Sequence, residues 1–209
     1  MPASVDESRR AQAWSRRDAG PVTNHLAIVL PGRGYTSIGA AIRIPVLALE
    51  QRGATVTDVT YPPAGDGPID WSALCVDVVA QIVERASAAR CDRLTFVAKS
   101  LGTRVLAAIA SELPTVATVA SIEAIWLTPL FGHATVRDGA GATGWRSLLV
   151  AGTADPYHDP DGFDLVARTL GAATVLVDGA DHSLEHPGDA LRTIDTLRTV
   201  GAAVLAFVD

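Results

Sequence analysis

The sequence predicts an α/β domain in which a mostly parallel sheet of about six strands is covered by helices on both faces. Three observations lead there. Runs such as His25–Leu30, Arg93–Ala98 and Ile122–Leu127 are almost continuously apolar, as strands buried on both faces are. They alternate with segments of helical length, and parallel neighbours need crossovers of that length. Most runs end in glycine, proline, serine or aspartate, the residues that form turns.

Taken in order, residues 1–24 are weakly patterned and read as an N-terminal arm or edge strand, so the domain proper is expected over residues 25–209. His25–Leu30 is a buried strand, and the turn Pro31-Gly32-Arg33-Gly34 leads to a helix over Ser37–Arg52. Ala54–Thr60 alternates β-branched residues and forms a strand; the loop after it carries Pro62, Pro63, Gly65 and Gly67. Asp70 offers the acceptor of an N-cap for a helix over Trp71–Ala89. Arg93–Ala98 is the next strand, and a helix over Leu101–Leu113 is closed by Pro114. Ile122–Leu127 is another strand, ended by Thr128-Pro129, and the Gly- and Ala-rich stretch Gly132–Gly144 has room for a short helix. A strand ending at Ala151, a helix near Asp161–Leu170, the strand Ala173–Val177 and a last helix from about Pro187 to Ala206 complete the chain. Asp189 and Asp195 on that last helix read as solvated residues. There is no internal repeat and no insertion long enough to form a cap domain.

Composition excludes several classes. The chain of 209 residues is large enough to bury a full core without disulfides or metal. Apolar residues make up 48% and charged residues 19%, which excludes disorder. No uncharged apolar stretch reaches the roughly 18 residues of a spanning helix, so no membrane partner is expected. Met1–Asp18 is polar and arginine-rich, with no apolar segment of the signal-peptide kind. Cys75 and Cys91 are therefore expected as buried thiols and the location as cytoplasmic. The net charge of −6 and the scattered basic residues argue against a nucleic-acid partner. Oligomeric state leaves no mark on the sequence.

The chemistry centres on Phe96-Val97-Ala98-Lys99-Ser100-Leu101-Gly102-Thr103, where a strand breaks into a small-x-Ser-x-Gly turn and then a helix. A serine hydroxyl becomes a useful nucleophile when a base takes its proton and a strained turn lifts it clear of the backbone. Small residues two before and two after the serine let strand and helix approach closely enough for that turn. Two later strands also end in reactive residues: Gly152-Thr153-Ala154-Asp155 and Gly179-Ala180-Asp181-His182. Ser100, Asp155 and His182 thus each follow a strand, and a parallel sheet brings all its strand C-termini to one edge. Lys99, the single lysine among seventeen basic residues, directly precedes the serine; it either tethers the turn, attracts an anionic substrate or is simply solvated.

On these four segments, including Leu30-Pro31-Gly32-Arg33-Gly34, the chain resembles the α/β-hydrolase superfamily over roughly residues 25–208. It is most similar to the small lidless members, the dienelactone-hydrolase-like and carboxylesterase-like proteins. The order nucleophile, acid, histidine is that of the superfamily. The resemblance implies a single-domain α/β-hydrolase fold, Ser100 as nucleophile, Asp155 as acid, His182 as base, and no cofactor or metal. It implies a backbone oxyanion hole from Leu101 and from Arg33 or Gly34, and hydrolysis of a small carboxylic ester through an acyl-enzyme. Two departures stand out: Pro31 where many members have histidine, and Ala98 in place of the first elbow glycine.

Rivals remain at each position. Asp159 and Asp161 compete with Asp155, and His186 and His158 with His182; His25 and His133 lack a surrounding motif and read as structural. Tyr35, Trp126, Phe131 and Tyr157 lie near strand ends and are candidates for a substrate pocket or for core. The Gly32–Gly39 segment does not fit a dinucleotide fingerprint, since position 37 is serine and no acidic residue closes the next strand. His182 and His186 share a helical spacing, but Pro187 argues against the helix a metal pair needs. The contrasting functional reading is a non-catalytic member of the same fold that binds a small molecule or a partner.

Overall fold

Strands alternate their side chains between two faces, and in this chain both sets are apolar, so both faces must be covered. The computed structural model describes residues 24–33, 35–61, 70–113 and 119–209. Its elements are β1 His25–Leu30, α1 Ala40–Gln51, β2 Thr55–Asp58, α2 Trp71–Ala89, β3 Arg93–Lys99, α3 Leu101–Ile109, β4 Ser121–Leu127, α4 Ala134–Gly141, β5 Arg146–Gly152, α5 Pro160–Leu170, β6 Ala173–Val177 and α6 Ala190–Val208. The six strands form one sheet in the order β2-β1-β3-β4-β5-β6, with every pair parallel. Among the described residues there is no cap domain. The fold is the α/β architecture expected from the sequence. The arm expected over residues 1–24 lies outside the described residues apart from Asn24, as do Gly34, the loop from Pro62 to Gly67, and Pro114.

Alternation sorts the core into two layers. Leu26, Ile28 and Leu30 of β1, with Leu94, Phe96 and Ala98 of β3, face α2, α3, α4 and α5. Ala27 and Val29, Val97, Ile125 and Leu127 face α1 and α6. The helices on the first layer contribute Leu74, Val78 and Ile82 from α2 and Val105, Leu106 and Ile109 from α3, at the i, i+3/i+4 spacing of an apolar stripe. Asp70 caps α2 as expected, its Oδ1 accepting from Ala73 N–H at 3.0 Å.

Two helix starts differ from expectation. The last helix begins at Ala190 because Asp189 caps it, accepting from Arg192 N–H at 3.0 Å; Asp189 is exposed, as expected, but at the cap and not on the helix face. Residues 37–39 form a turn and a bend before α1, so the helix starts at Ala40 and not at the expected Ser37. Among the described residues, no helix is long and apolar enough to cross a membrane. Cys75 is half-buried, Cys91 is buried, and both are free thiols.

The N-terminal end of the sheet holds a buried polar network. Glu123 accepts from Arg93 at 2.7 Å and from Arg146 at 3.1 Å, and Thr95 Oγ1 donates to it at 3.3 Å. His25 Nε2 is 2.8 Å from Thr95 Oγ1, and Arg93 also donates to the Val208 carbonyl at the end of α6. Burial, aided by the Arg93 cation and opposed by Glu123, lowers the His25 pKa from 6.5 to about 4. The unfolded chain therefore takes up a proton near pH 6.5 that the folded chain refuses until about pH 4. The stability His25 contributes is complete above the first value and is lost as pH falls through the second. Melting temperature should fall between these limits, and His25→Gln should show a shallower fall in calorimetry across the same range; identical slopes would refute this origin.

Candidate active site

The chain reverses direction across β1: it steps outward to β2, then returns to β3 on the other side. The segment leaving β1 turns toward the α1 face and the segment leaving β3 toward the opposite α3 face, which opens a crevice between them at the C-terminal edge. Ser100 stands at that crevice. Its backbone has φ 51° and ψ −112°, a strained conformation for a residue with a Cβ. The strain is held from several sides. Ser100 N–H donates to the Leu127 carbonyl at 3.1 Å, and its own carbonyl accepts from Thr103 N–H at 2.9 Å and from Thr103 Oγ1 at 2.6 Å.

Glycine is required at position 102, and at position 32 it leaves room beside the serine. A Cβ on Gly102 would overlap the Leu30 carbonyl of β1, so only a bare backbone lets α3 start against that strand. A Cβ on Gly32 would come 3.3 Å from the Ser100 Cβ, which puts the β1–α1 turn directly beside the serine. Ala98, the departure noted in the elbow, is fully buried in the α2–α5 layer, where its methyl group is accommodated.

Ser100, His182 and Asp155 are hydrogen-bonded in series. Ser100 Oγ is 2.8 Å from His182 Nε2, and His182 Nδ1 is 2.8 Å from Asp155 Oδ2. An ionised carboxylate can only accept, so Nδ1 carries the proton and Nε2 is left to accept from the serine hydroxyl. The Asp155 side chain is 1% exposed, and its Oδ1 accepts from Tyr157 N–H at 2.8 Å. The loops that carry Asp155 and His182 are joined to each other: Ala154 N–H donates to the Ala180 carbonyl at 3.0 Å and Gly179 N–H to Thr153 Oγ1 at 2.7 Å. A Cβ on Gly152 would overlap the Ala180 carbonyl, so this glycine permits the joint. Asp181 shapes the histidine loop, its Oδ1 accepting from Ser183 N–H at 2.8 Å and Glu185 N–H at 3.0 Å. That role was missed in sequence, though Asp181-His182-Ser183 has the short-range pattern of an Asx turn.

The rivals sit elsewhere in the structure. His186 is buried and its Nε2 pairs with Thr196 Oγ1 of α6 at 3.0 Å; His158 lies edge-on to Phe163 at 5.4 Å. Asp159 holds the N-cap position of α5, and Asp161 is exposed in that helix's first turn. His133 stands at the N-cap position of α4. Arg33 is exposed in the turn beside Ser100, while Gly34 lies outside the described residues. The N–H of Leu101 belongs to the first turn of α3, whose amides have no partner within the helix.

The expected pocket residues divide. Trp126 and Phe131 are core and not pocket: they are 0% and 1% exposed, and their rings pack together on the α3–α5 side with Phe163. Pleat alternation turned Trp126 into that layer, away from the edge. Tyr157 is 61% exposed and its ring meets His182 edge-on at 5.0 Å. Tyr35 is half-buried and bonds through its Oη to Ala41 N–H at 3.3 Å. A separate cleft of about 640 Å³, lined by Trp145, Arg146, Leu170 and Phe207 at the other end of the strands, contains none of these groups.

No protein-family model and no curated protein sequence matches the chain. Solved structures do resemble it. Est1E from Butyrivibrio proteoclasticus, with ferulic acid bound, superposes with a TM-score of 0.69 at 15% identity, covering 91% of this chain and 90% of that one. An alpha-beta serine hydrolase homologue from Coxiella burnetii gives 0.68 at 14% identity, covering 91% and 88%. The Pyrococcus furiosus esterase Pf2001 gives 0.64 at 13% identity, covering 90% and 83%. At these identities the likeness is one of fold.

Because the Gly102 site has no room for a methyl group, Gly102→Ala should lower folding stability by about 2 kcal/mol or more. Gly132→Ala, whose added Cβ would meet its nearest neighbour at an ordinary 3.7 Å, is the control and should melt with the parent. Equal melting temperatures for the parent and both variants would show that the elbow tolerates a side chain.

Proposed function

We propose, from the α/β-hydrolase fold of this chain, that it is a serine hydrolase that cleaves a small carboxylic ester through an acyl-enzyme. The observation that carries the reading is the unbroken relay from Ser100 Oγ through both His182 nitrogens to the buried Asp155 carboxylate, 2.8 Å at each step. In this reading His182 Nε2 takes the Ser100 proton as Oγ attacks the ester carbonyl, then delivers it to the departing alkoxide. Water repeats the sequence on the acyl-enzyme and releases the acid. Asp155 holds the tautomer that leaves Nε2 free and stabilises the imidazolium that forms.

The tetrahedral intermediate carries its negative charge on the former carbonyl oxygen. Leu101 N–H and an N–H from the Arg33–Gly34 turn are the proposed donors, and the close packing of Gly32 on Ser100 supports the turn's contribution. Side chains and water suffice for these steps, so no cofactor is assigned. Small or exposed esters fit a nucleophile that is only half-buried and rimmed by an exposed tyrosine. The ferulic acid bound to Est1E is an example of the acid half of such an ester. The intact relay favours this reading over that of a binding protein, in which nothing would require a proton path from the serine.

A fluorophosphonate probe should label the protein at Ser100, and short p-nitrophenyl esters should be hydrolysed. Ser100→Ala should abolish labelling and lower kcat by a factor on the order of a million. Asp155→Asn, which forces the wrong tautomer, should lower it by about ten-thousandfold while labelling slows. A parent protein that neither labels nor turns over any acyl chain would sink the proposal.

A further inference from the structure

Lys99 is the single lysine of the chain, and it is 1% exposed. Alternation along β3 places it on the same face as Thr95 and Val97, the face covered by α1 and α6. An ammonium taken out of water is unfavourable unless it is paired and hydrogen-bonded, so its surroundings need a reason. Nζ donates to the backbone carbonyl of His182 at 2.8 Å and to Thr128 Oγ1 at 3.3 Å, and lies 4.6 Å from the centroid of the Tyr35 ring. These partners come from three different loops. Tyr35 belongs to the β1–α1 turn beside Ser100, Thr128 to the exit of β4, and His182 to the histidine loop. Thr128 itself has a φ of 44°, so the exit of β4 is held in a strained conformation where the lysine meets it.

We propose that Lys99 is a positioning residue, a charged strap that holds the backbone of His182 in register with Ser100, and that loss of its charge sets the alkaline limit of activity. The kinetic half of this proposal rests on the serine-hydrolase reading; the structural half rests on the geometry alone. His182 can reach Ser100 and Asp155 together only while its own main chain stays in place. The acid loop already holds the neighbouring Ala180, but Lys99 joins residue 182 to the strand that carries the nucleophile. A charge-assisted bond to a carbonyl is the stronger kind, and a compact ammonium can address three loops at once where a planar guanidinium would aim along a fork.

The charged groups facing Lys99 are the Asp155 carboxylate from the β5–α5 loop and the Asp181 carboxylate from the histidine loop, both of which favour the cation. The His182 imidazole, occupied by Ser100 and Asp155, and the Tyr35 phenol complete the titratable set; burial keeps that phenol neutral, with Glu185 and Asp181 adding to the effect. Desolvation outweighs the two carboxylates and brings the Lys99 pKa from 10.5 down to about 8. Below that pH the strap is cationic and at full strength. Above it a neutral amine remains, and its bond to the carbonyl weakens.

A chain with one lysine gives one ammonium signal when labelled with [15Nζ]lysine, so its titration can be read by NMR and set beside the pH profile of ester hydrolysis. The two midpoints should coincide near 8, with kcat falling as pH rises. Lys99→Met should lower kcat by about tenfold or more with KM little changed, and should give a flat alkaline profile. Lys99→Arg, charged throughout that range, should remove the alkaline limb and restore part of the rate. Amide hydrogen exchange over residues 181–185 should quicken in Lys99→Met while the core strands stay protected. Unaltered exchange there, a Lys99→Met kcat equal to the parent's, or an alkaline limb displaced from the ammonium midpoint would overturn the proposal. If Lys99→Met does not fold, the two parent midpoints decide. If the parent protein proves unreactive toward fluorophosphonate and esters, the hydrolase reading falls, and the exchange measurement alone decides whether the strap exists.

Discussion

The structure depends on how closely two backbones approach at the end of β1. The α3 helix begins against the Leu30 carbonyl with no atom to spare, because position 102 is glycine, and the β1–α1 turn lies beside Ser100, where a Cβ on Gly32 would be a tight 3.3 Å from the serine Cβ. That contact sets where the helix axis starts, and so what dihedral angles remain for the residue in between. Ser100 adopts its strained conformation as a consequence of the packing around it, and the hydrogen bonds to Leu127 and Thr103 keep it there. The crevice that results lies where the chain changes direction across the sheet, so fold and site share a single origin.

The arrangement distributes polar groups unevenly along the strands. At the N-terminal edge, His25, Thr95, Glu123 and the arginines Arg93 and Arg146 satisfy one another within a few ångströms and tie the end of α6 to the sheet. At the C-terminal edge the buried Lys99 and Asp155 bond to His182 or to the loops around it, while buried His186 pairs with Thr196 of α6. Between the two edges the inner strands β1, β3, β4 and β5 carry mostly apolar side chains. A charged group inside this sheet is therefore tied to one edge or the other.

Much of this was legible in the sequence for identifiable reasons. Strands buried on both faces leave continuous apolar runs, and β6 and α2 fell at the expected residues because turn residues and the Asp70 cap mark their limits. The start of α6 lies three residues beyond the expected Pro187 because the intervening segment is polar, and only the cap formed by Asp189 shows where the hydrogen-bond ladder begins. Trp126 and Phe131 were ambiguous for another reason: proximity to a strand end does not say which layer a side chain enters, and pleat phase decides it. That Ser100, Asp155 and His182 meet at one edge was legible because three strand ends carry three reactive residue types. The surroundings of Lys99 were not, since its partners are a main-chain carbonyl, a threonine and a ring from separate loops.

The seam between Thr153–Ala154 and Gly179–Ala180 has a mechanical consequence. It welds aspartate and histidine into one plate riding on β5 and β6, while the serine and its neighbouring turn form a second plate on β1 and β3. Sliding between the plates would leave the aspartate–histidine contact untouched and stretch the gap to the serine together with the Lys99 bond to the His182 carbonyl. Any drift in the sheet's twist is therefore felt where Ser100 meets His182 and where Lys99 spans the same gap.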